Sequence, residues 1–212
     1  MTVITENALS ELRETVFGIL SPKRFRHTAA VEDMVARLCG LYCPEQTMQM
    51  RAAALLHDIT KELPVQEQVL LCNAYGIPVD DGDLLAPKTL HARTAAAQIP
   101  VDYPAFADPL IVSAVRWHTT GHAGMTLTEK LLYLADYIDA SRTFRNCVLL
   151  RRYFWGAEPE KLSAEARNTL LRETLLLSYD MTIRDLLEEG TPVAVDTVEA
   201  RNELLREAAG NT

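Results

Sequence analysis

Four histidines and two aspartates occur between residues 27 and 136, at positions where a helix would place its buried side chains. The whole sequence contains only five histidines. The set consists of His27, His57, Asp58, His91, His118 and Asp136. Neutral imidazole and carboxylate are ligands of first-row transition metals, and so many groups exceed what one tetrahedral ion requires. A fold that uses them must bring several helices to one point, which we interpret as a centre for two metal ions.

The helical spacing of apolar residues predicts that these side chains point inward. His27 is in register with the apolar stripe of the helix expected after residue 21. His57 continues the apolar face of the next helix, and Asp58 is about 100° further round the same turn. His118 keeps the spacing of a third apolar face, while Asp136 interrupts an apolar run. Because a buried carboxylate without a partner is costly, a cation beside Asp136 is a reasonable inference.

Each of these residues also has an explanation that needs no metal. A single histidine on an apolar helix face is more often a hydrogen-bonded core residue than a ligand. The dipeptide His57-Asp58 is weak evidence by itself, and Asp136 alone could pair with an arginine. The conjunction of inward-facing histidines on separate segments with two carboxylates favours the metal centre.

The pattern along the chain is helical throughout, without the alternation typical of strands. Glycines, prolines and a capping box from Thr126 to Glu129 mark the ends of the elements. We therefore predict an all-α fold. The predicted helices cover residues 5–19, 22–41, 45–62, 65–75, 91–98, 109–118, 127–140, 145–155, 163–189 and 196–208.

The chain of 212 residues, of which 48% are apolar, can bury a sizeable core. We predict one domain over residues 1–212, because no Gly/Ser-rich or Pro-rich linker divides the sequence and no repeat is visible. In this interpretation the metal core covers about residues 20–145, and additional helices from about 146 to 212 pack against it.

Charge and composition indicate the expected partners and location. A net charge of -8 argues against nucleic acid as a partner, although a local basic pocket for a small phosphate ligand is compatible with it. The N-terminal residues have no signal-peptide or transit-peptide composition, and no apolar run approaches the length of a membrane span. The four cysteines form no C-x-x-C pair and are interpreted as reduced structural residues. We expect a cytoplasmic protein.

Short motifs surround the candidate ligands. They are Arg24-Phe25-x-His27, Ala53-x-Leu55-Leu56-His57-Asp58-Ile59-x-Lys61, His91-Ala92, His118-Thr119-x-Gly121-x-x-Gly124-Met125, Glu129-Lys130 and Ala135-Asp136-Tyr137-Ile138-Asp139-x-x-Arg142. In this combination the chain resembles the HD superfamily of metal-dependent phosphohydrolases, and more narrowly the YqeK family of symmetrical diadenosine tetraphosphate hydrolases. The resemblance covers about residues 20–145, with a weaker similarity from Pro192 to Asn202.

The sequence departs from that family at a few positions. His122 replaces a residue that is usually Arg or another polar one, Asp139 replaces Glu, and Ala140 replaces Pro. Arg201 stands where an aromatic residue is usual. We interpret His122 as either a solvent-facing loop residue or a contact to a substrate phosphate, and we assign no site residue in the C-terminal segment.

The resemblance implies a multi-helix HD-domain bundle with two metal ions, expected to be iron. His27, His57, Asp58 and Asp136 would hold one ion. Asp58 would also bridge to a second ion held by His91 and His118. Manganese, cobalt, nickel and zinc suit these donors equally well, so iron follows from the resemblance alone.

The resemblance also implies a reaction, the symmetrical hydrolysis of diadenosine tetraphosphate (Ap4A) to two ADP by a hydroxide between the two ions. Paired cations can lower the pKa of such a hydroxide and stabilise both the attacking and the leaving oxygen. Asp58, Lys61 and Arg142 are the expected catalytic residues, with Lys61 one helical turn beyond His57. The expected substrate-binding residues are Arg24, Asp58, Ile59, Thr60, Lys61, His91, His118, Asp136, Tyr137 and Arg142.

Other functions remain open from sequence. The chain could be a different HD-domain phosphohydrolase that acts on a nucleoside phosphate or a cyclic nucleotide, or a di-iron oxygenase. A regulatory domain that binds an adenine nucleotide as a signal is the alternative without catalysis. The expected partner in each enzymatic case is a small molecule, and a homodimer is possible.

Overall fold

The computed structural model describes residues 3–210, so the outermost residues of the predicted domain, 1–2 and 211–212, lie outside the description. Within it, helices follow one another without a β-strand, which confirms the all-α class. The helices are α1 (Glu6–Ile19), α2 (Pro22–Tyr42), α3 (Thr47–Leu56), α4 (Val65–Ala74), α5 (Asp81–Leu85), α6 (Leu90–Asp102), α7 (Pro109–Trp117), α8 (Leu127–Ile138), α9 (Arg145–Gly156), α10 (Ala164–Glu188) and α11 (Val195–Ala209). Single 3-10 turns occur at Pro44–Gln46, Pro87–Thr89, Pro104–Phe106 and Pro159–Lys161.

Side-chain caps set the starts of the helices that carry the site. The Ser21 hydroxyl accepts a hydrogen bond from the backbone N–H of Arg24 at the start of α2, where Pro22 is the first residue. Thr126 and Glu129 form the predicted capping box of α8. Most predicted helix boundaries therefore agree with the structure to within a few residues.

Three elements differ from the prediction. The helix predicted over 45–62 ends at Leu56, and residues 57–62 form consecutive turns. The ring Nδ1 of His57 lies 2.6 Å from the carbonyl oxygen of Ala54, so a side chain takes the place of the next helical N–H. Helix α6 continues to Asp102 despite Pro100, and the short helix α5 was missed because polar residues dominate it.

The helices enclose one connected cluster of buried apolar side chains that extends from Leu9 in α1 to Leu204 in α11. Helix α2 packs against α3 and α8, and α7 packs against α3, α6 and α8. Helix α10 contacts α8 of this group, and it also contacts α9 and α11, which lie outside the group. The candidate ligands therefore lie on, or directly after, helices α2, α3, α6, α7 and α8, which pack against one another. Among the described helices, none combines the length and the apolar composition needed to span a membrane.

Candidate metal centre

The structure brings all the predicted ligands together. His27 lies on α2 and Asp136 on α8, His91 is the second residue of α6, and His118 directly follows α7. His57 and Asp58 directly follow α3. All are buried except Asp136, whose side chain is 19% exposed. Asp136 therefore forms the solvent-facing edge of an otherwise enclosed centre.

The two carboxylate oxygens of Asp58 face different pairs of histidines. Its Oδ2 lies 3.3 Å from His57 Nε2 and 3.8 Å from His27 Nε2. Its Oδ1 lies 3.2 Å from His91 Nε2 and 3.8 Å from His118 Nε2. A carboxylate placed between two sets of imidazole nitrogens can bind one cation with each oxygen.

Asp136 belongs to the first of these sets. Its Oδ1 lies 2.9 Å from His27 Nε2 and 3.8 Å from His57 Nε2. The donor atoms of His27, His57 and Asp136 all lie within 4.8 Å of one another, as do those of His57, Asp58 and His118. The Nε2 atoms of His91 and His118 are 3.0 Å apart. The geometry is thus that of two adjoining ligand groups.

Three of the four histidines are oriented by their own backbone. In each, Nδ1 lies 2.6–2.7 Å from the carbonyl oxygen three residues earlier: Ala54 for His57, Lys88 for His91 and Val115 for His118. An Nδ1–H that donates to such a carbonyl leaves Nε2 with a lone pair for a metal. His57 and His118 stand at the C-terminal ends of helices, where carbonyls lack helical partners.

His27 is oriented differently, by a carboxylate from another segment. It lies inside α2, where the preceding carbonyls take part in helical hydrogen bonds. Its Nδ1 lies 3.3 Å from Asp139 Oδ2 and 3.3 Å from the Ser141 hydroxyl oxygen. Asp139 is fully buried, and its Oδ1 accepts hydrogen bonds from the backbone N–H of Ser141 at 2.8 Å and from the Ser141 hydroxyl at 2.5 Å.

Sequence reasoning gave Asp139 no role, although it noted the residue as a departure from the family. The available signal was a second acidic residue three positions after Asp136, beside a buried apolar stretch. In the structure this residue follows α8, which places it under the ring of His27. Asp139 and Ser141 therefore face Nδ1 of His27, where backbone carbonyls face Nδ1 of the other three histidines.

The residues present fit transition-metal ions. The Nε2 atoms of His27 and His57 are buried and form no well-directed hydrogen bond within residues 3–210, although carboxylate oxygens lie 2.9 Å and 3.3 Å from them. Leaving a buried polar atom unpaired typically costs about 1–3 kcal/mol, so orphaned nitrogens that converge with carboxylates call for a further partner. Imidazole nitrogen and carboxylate oxygen are suitable donors for iron, manganese, cobalt, nickel or zinc.

The electrostatics keep most donors in the form that binds metal. Burial would raise the pKa of Asp58, but His57 and His91 hold it well below its usual range. Burial likewise opposes ionisation of Asp136, and Arg142 and His27 outweigh it, so its pKa is also well below the usual range. Burial lowers the pKa of His118 strongly. The carboxylates are therefore ionised and His118 is neutral at neutral pH.

The three cationic residues predicted to contact phosphate surround the centre. Arg24 Nη1 lies 2.8 Å from Asp58 Oδ2, and Arg142 Nη2 lies 2.5 Å from Asp136 Oδ1. Lys61 Nζ lies 3.2 Å from both ring nitrogens of His91. The prediction that Lys61 follows His57 on one helix face is wrong, because α3 ends before both residues. The turns after α3 bring Lys61 to the site instead.

Ile59 and Thr60 are less accessible than the prediction required. Both are buried, and neither lines the cleft beside the centre. The Thr60 hydroxyl donates to the carbonyl oxygen of His91 at 3.0 Å and lies 2.8 Å from the Thr94 hydroxyl. Their contact with a substrate stays a prediction, and the hydrogen bonds of Thr60 help to fix the start of α6.

A cavity of about 360 Å³ opens beside the centre. We call it the inner cavity. On the side of the candidate metal centre it is lined by Lys61, His118, Thr119, Asp136, Tyr137 and Arg142. Its volume is in the range of roughly 300–1,000 Å³ that is usual for small-molecule sites. Its other walls include apolar side chains of Pro87, Leu186 and Pro192. The inner cavity thus joins a charged floor to an apolar wall.

The C-terminal segment contributes to this wall, which sequence reasoning left unassigned. Thr191, Ala194 and Thr197 line the inner cavity, and the Thr197 hydroxyl donates to the carbonyl oxygen of Thr120 at 3.0 Å. Arg201 lies further along α11 and pairs with Asp180 at 2.7 Å. The weak similarity noted in this segment therefore coincides with a part of the chain that reaches the site.

His122 lies apart from the candidate ligands. Its Nε2 is 3.2 Å from Glu129 Oε2, and its ring centroid is 4.4 Å from that of Trp117. His122 lies in the loop before α8 and its side chain is 24% exposed, while a contact with a substrate phosphate stays a prediction. His122 packs against the start of α8 and supports its capping box.

Comparisons with known proteins agree with this geometry. Residues 24–141 match the HD domain family. The chain is 30% identical over 190 residues to the symmetrical bis(5'-nucleosyl)-tetraphosphatase of Halalkalibacterium halodurans, covering 89% of this chain and 92% of the relative. It is 29% identical over 186 residues to the protein of the same name from Bacillus subtilis, covering 88% of this chain and 91% of the relative.

A solved structure is similar over almost the whole chain. It is a protein of Clostridium acetobutylicum described as a predicted HD superfamily hydrolase involved in NAD metabolism. The two chains are 31% identical, the TM-score is 0.80, and the match covers 93% of this chain and 97% of the other. The helices that carry the candidate ligands therefore have a counterpart of known structure.

Proposed function

This chain belongs to the HD domain family as a phosphohydrolase, and on that premise we propose that it hydrolyses Ap4A symmetrically to two ADP. The observation that carries the proposal is the position of Asp58, whose two oxygens face separate pairs of histidines. Its support from relatives is that the similar proteins of H. halodurans and B. subtilis bear the name of this activity.

We assign two cations to the centre. His27, His57, Asp58 and Asp136 would hold the first, and Asp58, His91 and His118 the second. When bound, such a pair supplies Lewis acidity, which activates water near neutral pH and stabilises charge on the attacking and leaving oxygens. Iron is our proposal for the metal, and it rests on the family resemblance, because the donor types suit several metals.

The residues around the centre would bind and orient the phosphate chain. Arg142 presents a guanidinium at the edge of the inner cavity, where it can contact phosphate oxygens in a bidentate manner. Arg24 and Lys61 add positive charge beside Asp58 and His91. Together they would offset the negative charge of a tetraphosphate that approaches a protein of net charge -8.

The reaction adds one water across the central P–O–P bridge of the tetraphosphate. The attacked phosphorus gains the water oxygen, the bridging oxygen leaves with the other half, and each product is ADP. Asp58 would orient the reacting groups through the ions it binds, while Arg142 holds a phosphate flanking the bridge. The apolar wall of the inner cavity would receive an adenosine.

Hydrolysis of Ap4A in water enriched in oxygen-18 tests this proposal. Purified protein of measured metal content should give ADP as the only product, with one labelled oxygen for every two ADP. Products of AMP and ATP, or intact Ap4A after incubation with metal-loaded protein, would show that the scaffold carries a different reaction.

The same assay, repeated with other substrates, separates the other candidate functions. Release of nucleotide from NAD but not from Ap4A would favour a role like that described for the C. acetobutylicum hydrolase. Turnover of a nucleoside phosphate or a cyclic nucleotide would identify another phosphohydrolase. Turnover that depends on oxygen would identify an oxygenase, and binding without turnover would identify a sensor.

A cytoplasmic location remains our expectation, and the four free cysteines fit a reducing compartment.

A further inference from the structure

A second cavity, of about 820 Å³, adjoins the inner cavity. The side chains that line both spaces are Lys88, Tyr137, Arg142, Thr182 and Leu186. We call the second space the outer cavity; residues 144–147 at the start of α9 and residues 181–189 at the end of α10 contribute most of its remaining wall. The two cavities therefore form one cleft with the candidate metal centre beside its inner part.

We propose that the outer cavity binds the second nucleoside of a dinucleoside polyphosphate. The inner cavity holds the first nucleoside, and the phosphate chain between them passes Arg142. This assignment rests on the proposed function, since it places the two ends of that substrate on either side of the bond to be cleaved.

The positive charges of the cleft follow the expected path of the phosphates. Arg142 lines both cavities and contacts Asp136 in the centre, so its guanidinium lies on the side of the shared boundary that is next to the candidate metal centre. Lys88 also lines both cavities, and Arg145 and Arg184 line the outer one. Helix α9 begins at the outer cavity without a side-chain cap, and its dipole adds positive potential there.

An aromatic ring is available for a base in the outer cavity. Phe144 lines this cavity and is 70% exposed, although a phenyl ring normally gains stability from burial. Bases stack on aromatic side chains whatever their identity, because every base has a π face. The ring next to Arg145 thus offers a platform for a nucleobase whose phosphates lie toward Arg142.

Acidic residues distinguish this space from a second phosphate site. Asp185, Glu188 and Glu189 line the outer cavity at the C-terminal end of α10, around Leu186, which also lines the inner cavity. Asn146 donates to both oxygens of Asp185 at 3.1 and 2.9 Å. Carboxylates at this end would repel a phosphate but tolerate an uncharged nucleoside, whose hydroxyl and amino groups can donate to them.

The test compares two tetraphosphates that differ by one nucleoside, Ap4A and adenosine 5'-tetraphosphate. For the metal-loaded native protein and Phe144→Ala, kcat/KM is measured for Ap4A, and adenosine 5'-tetraphosphate is measured as a competitive inhibitor. Loss of base stacking should lower kcat/KM for Ap4A about tenfold and leave the inhibition constant within about twofold. Arg145→Gln should weaken binding of both nucleotides, so that kcat/KM for Ap4A falls and the inhibition constant of adenosine 5'-tetraphosphate rises. Leu70→Ala, which removes a side chain 67% exposed on α4, is the control.

The outcomes are distinguishable. If Phe144→Ala hydrolyses Ap4A as the native protein does, or weakens both nucleotides equally, the outer cavity is not the second nucleoside site while the proposed function stands. If the native protein leaves Ap4A intact, the proposed function fails and this assignment fails with it.

Discussion

Helix α2 carries two buried groups only five residues apart, His27 in the candidate metal centre and Glu32 in a cluster with two arginines. Glu32 is 3% exposed. Arg13 donates to it twice, from Nη2 to Oε1 at 2.6 Å and from Nε to Oε2 at 3.0 Å. Arg51 Nε donates to Oε1 at 3.0 Å. Its carboxylate therefore has fixed cationic partners from α1 and α3 on both oxygens.

The metal centre contains the same kind of carboxylate but a different set of neighbours. Asp58 and Asp136 each have one arginine, and the remaining neighbours are imidazoles. In two of those imidazoles, His27 and His57, the buried Nε2 forms no well-directed hydrogen bond within residues 3–210. A carboxylate between arginines is complete within the chain, whereas carboxylates among histidine nitrogens are suited to external cations. We expect the first region to determine stability and the second to determine activity.

Substitution of Asp58 by Asn should give the largest effect and affect activity alone. An amide offers a single oxygen without charge, so it cannot serve both groups of histidines. We expect kcat/KM for Ap4A to fall at least about a thousandfold, equivalent to about 4 kcal/mol. The measurements are steady-state kinetics and metal content per chain. A variant that keeps two metal ions and native activity would contradict the bridging role.

Substitution of Glu32 by Gln should have the opposite result, a loss of stability with activity retained in the folded protein. Removing the carboxylate leaves Arg13 and Arg51 without their shared partner. We expect unfolding by urea to show a loss of about 3 kcal/mol, the lower end of the range for a broken buried pair, because the Arg13 side chain is 35% exposed. Glu6→Gln is the matched control, since Glu6 pairs with Arg51 at the surface and should cost less than about 1 kcal/mol.

The two regions also differ in how far the sequence predicts them. The candidate ligands were predictable because histidine on an apolar helix face is unusual, and every one of them reaches the candidate metal centre. The arrangement around them was less predictable: α3 ends before His57 because a ring nitrogen replaces a helical N–H, which no spacing rule reveals. Contacts between distant segments, such as Asp139 with His27 and Glu32 with Arg13, depend on how helices pack and carry no periodic signal.

Substitution of Asp139 by Asn sharpens the comparison within the candidate metal centre itself, because His27 is the one candidate ligand whose ring lies against this carboxylate. Loss of a partner that orients a ligating histidine typically lowers metal affinity about 10–100-fold. We expect dialysis against a chelator to remove one of two metal ions more readily than from the native protein, and the second ion to be retained as before. Equal loss of both ions, or of neither, would show that Asp139 does not act through His27. A melting temperature close to that of the native protein would exclude general unfolding as the cause.

The smallest effect is expected at Glu129, a buried carboxylate that needs neither arginine nor metal. Its partners are Ser113, the backbone N–H of Thr126 at 2.6 Å and His122. Burial would raise the pKa of Glu129, but the hydrogen bonds from Ser113 and Thr126 outweigh it and hold the pKa below its ordinary value of 4.5. Since the pKa is lower in the folded protein, Glu129 stabilises the fold above that value, and the contribution is lost as pH falls through the folded pKa.

Glu129→Gln should therefore destabilise the protein by about 1 kcal/mol at neutral pH, the usual contribution of a helix cap, and by less in acid. Urea unfolding at about pH 7 and about pH 3.5 measures the difference between native protein and variant at each pH. Glu207→Gln, which removes an exposed carboxylate paired with Lys130, should show a small difference at both. If the effect of Glu129→Gln is as large in acid as at neutral pH, the ionised carboxylate is not what stabilises α8. The comparison of buried carboxylates by the partners that keep them ionised would then not extend to Glu129.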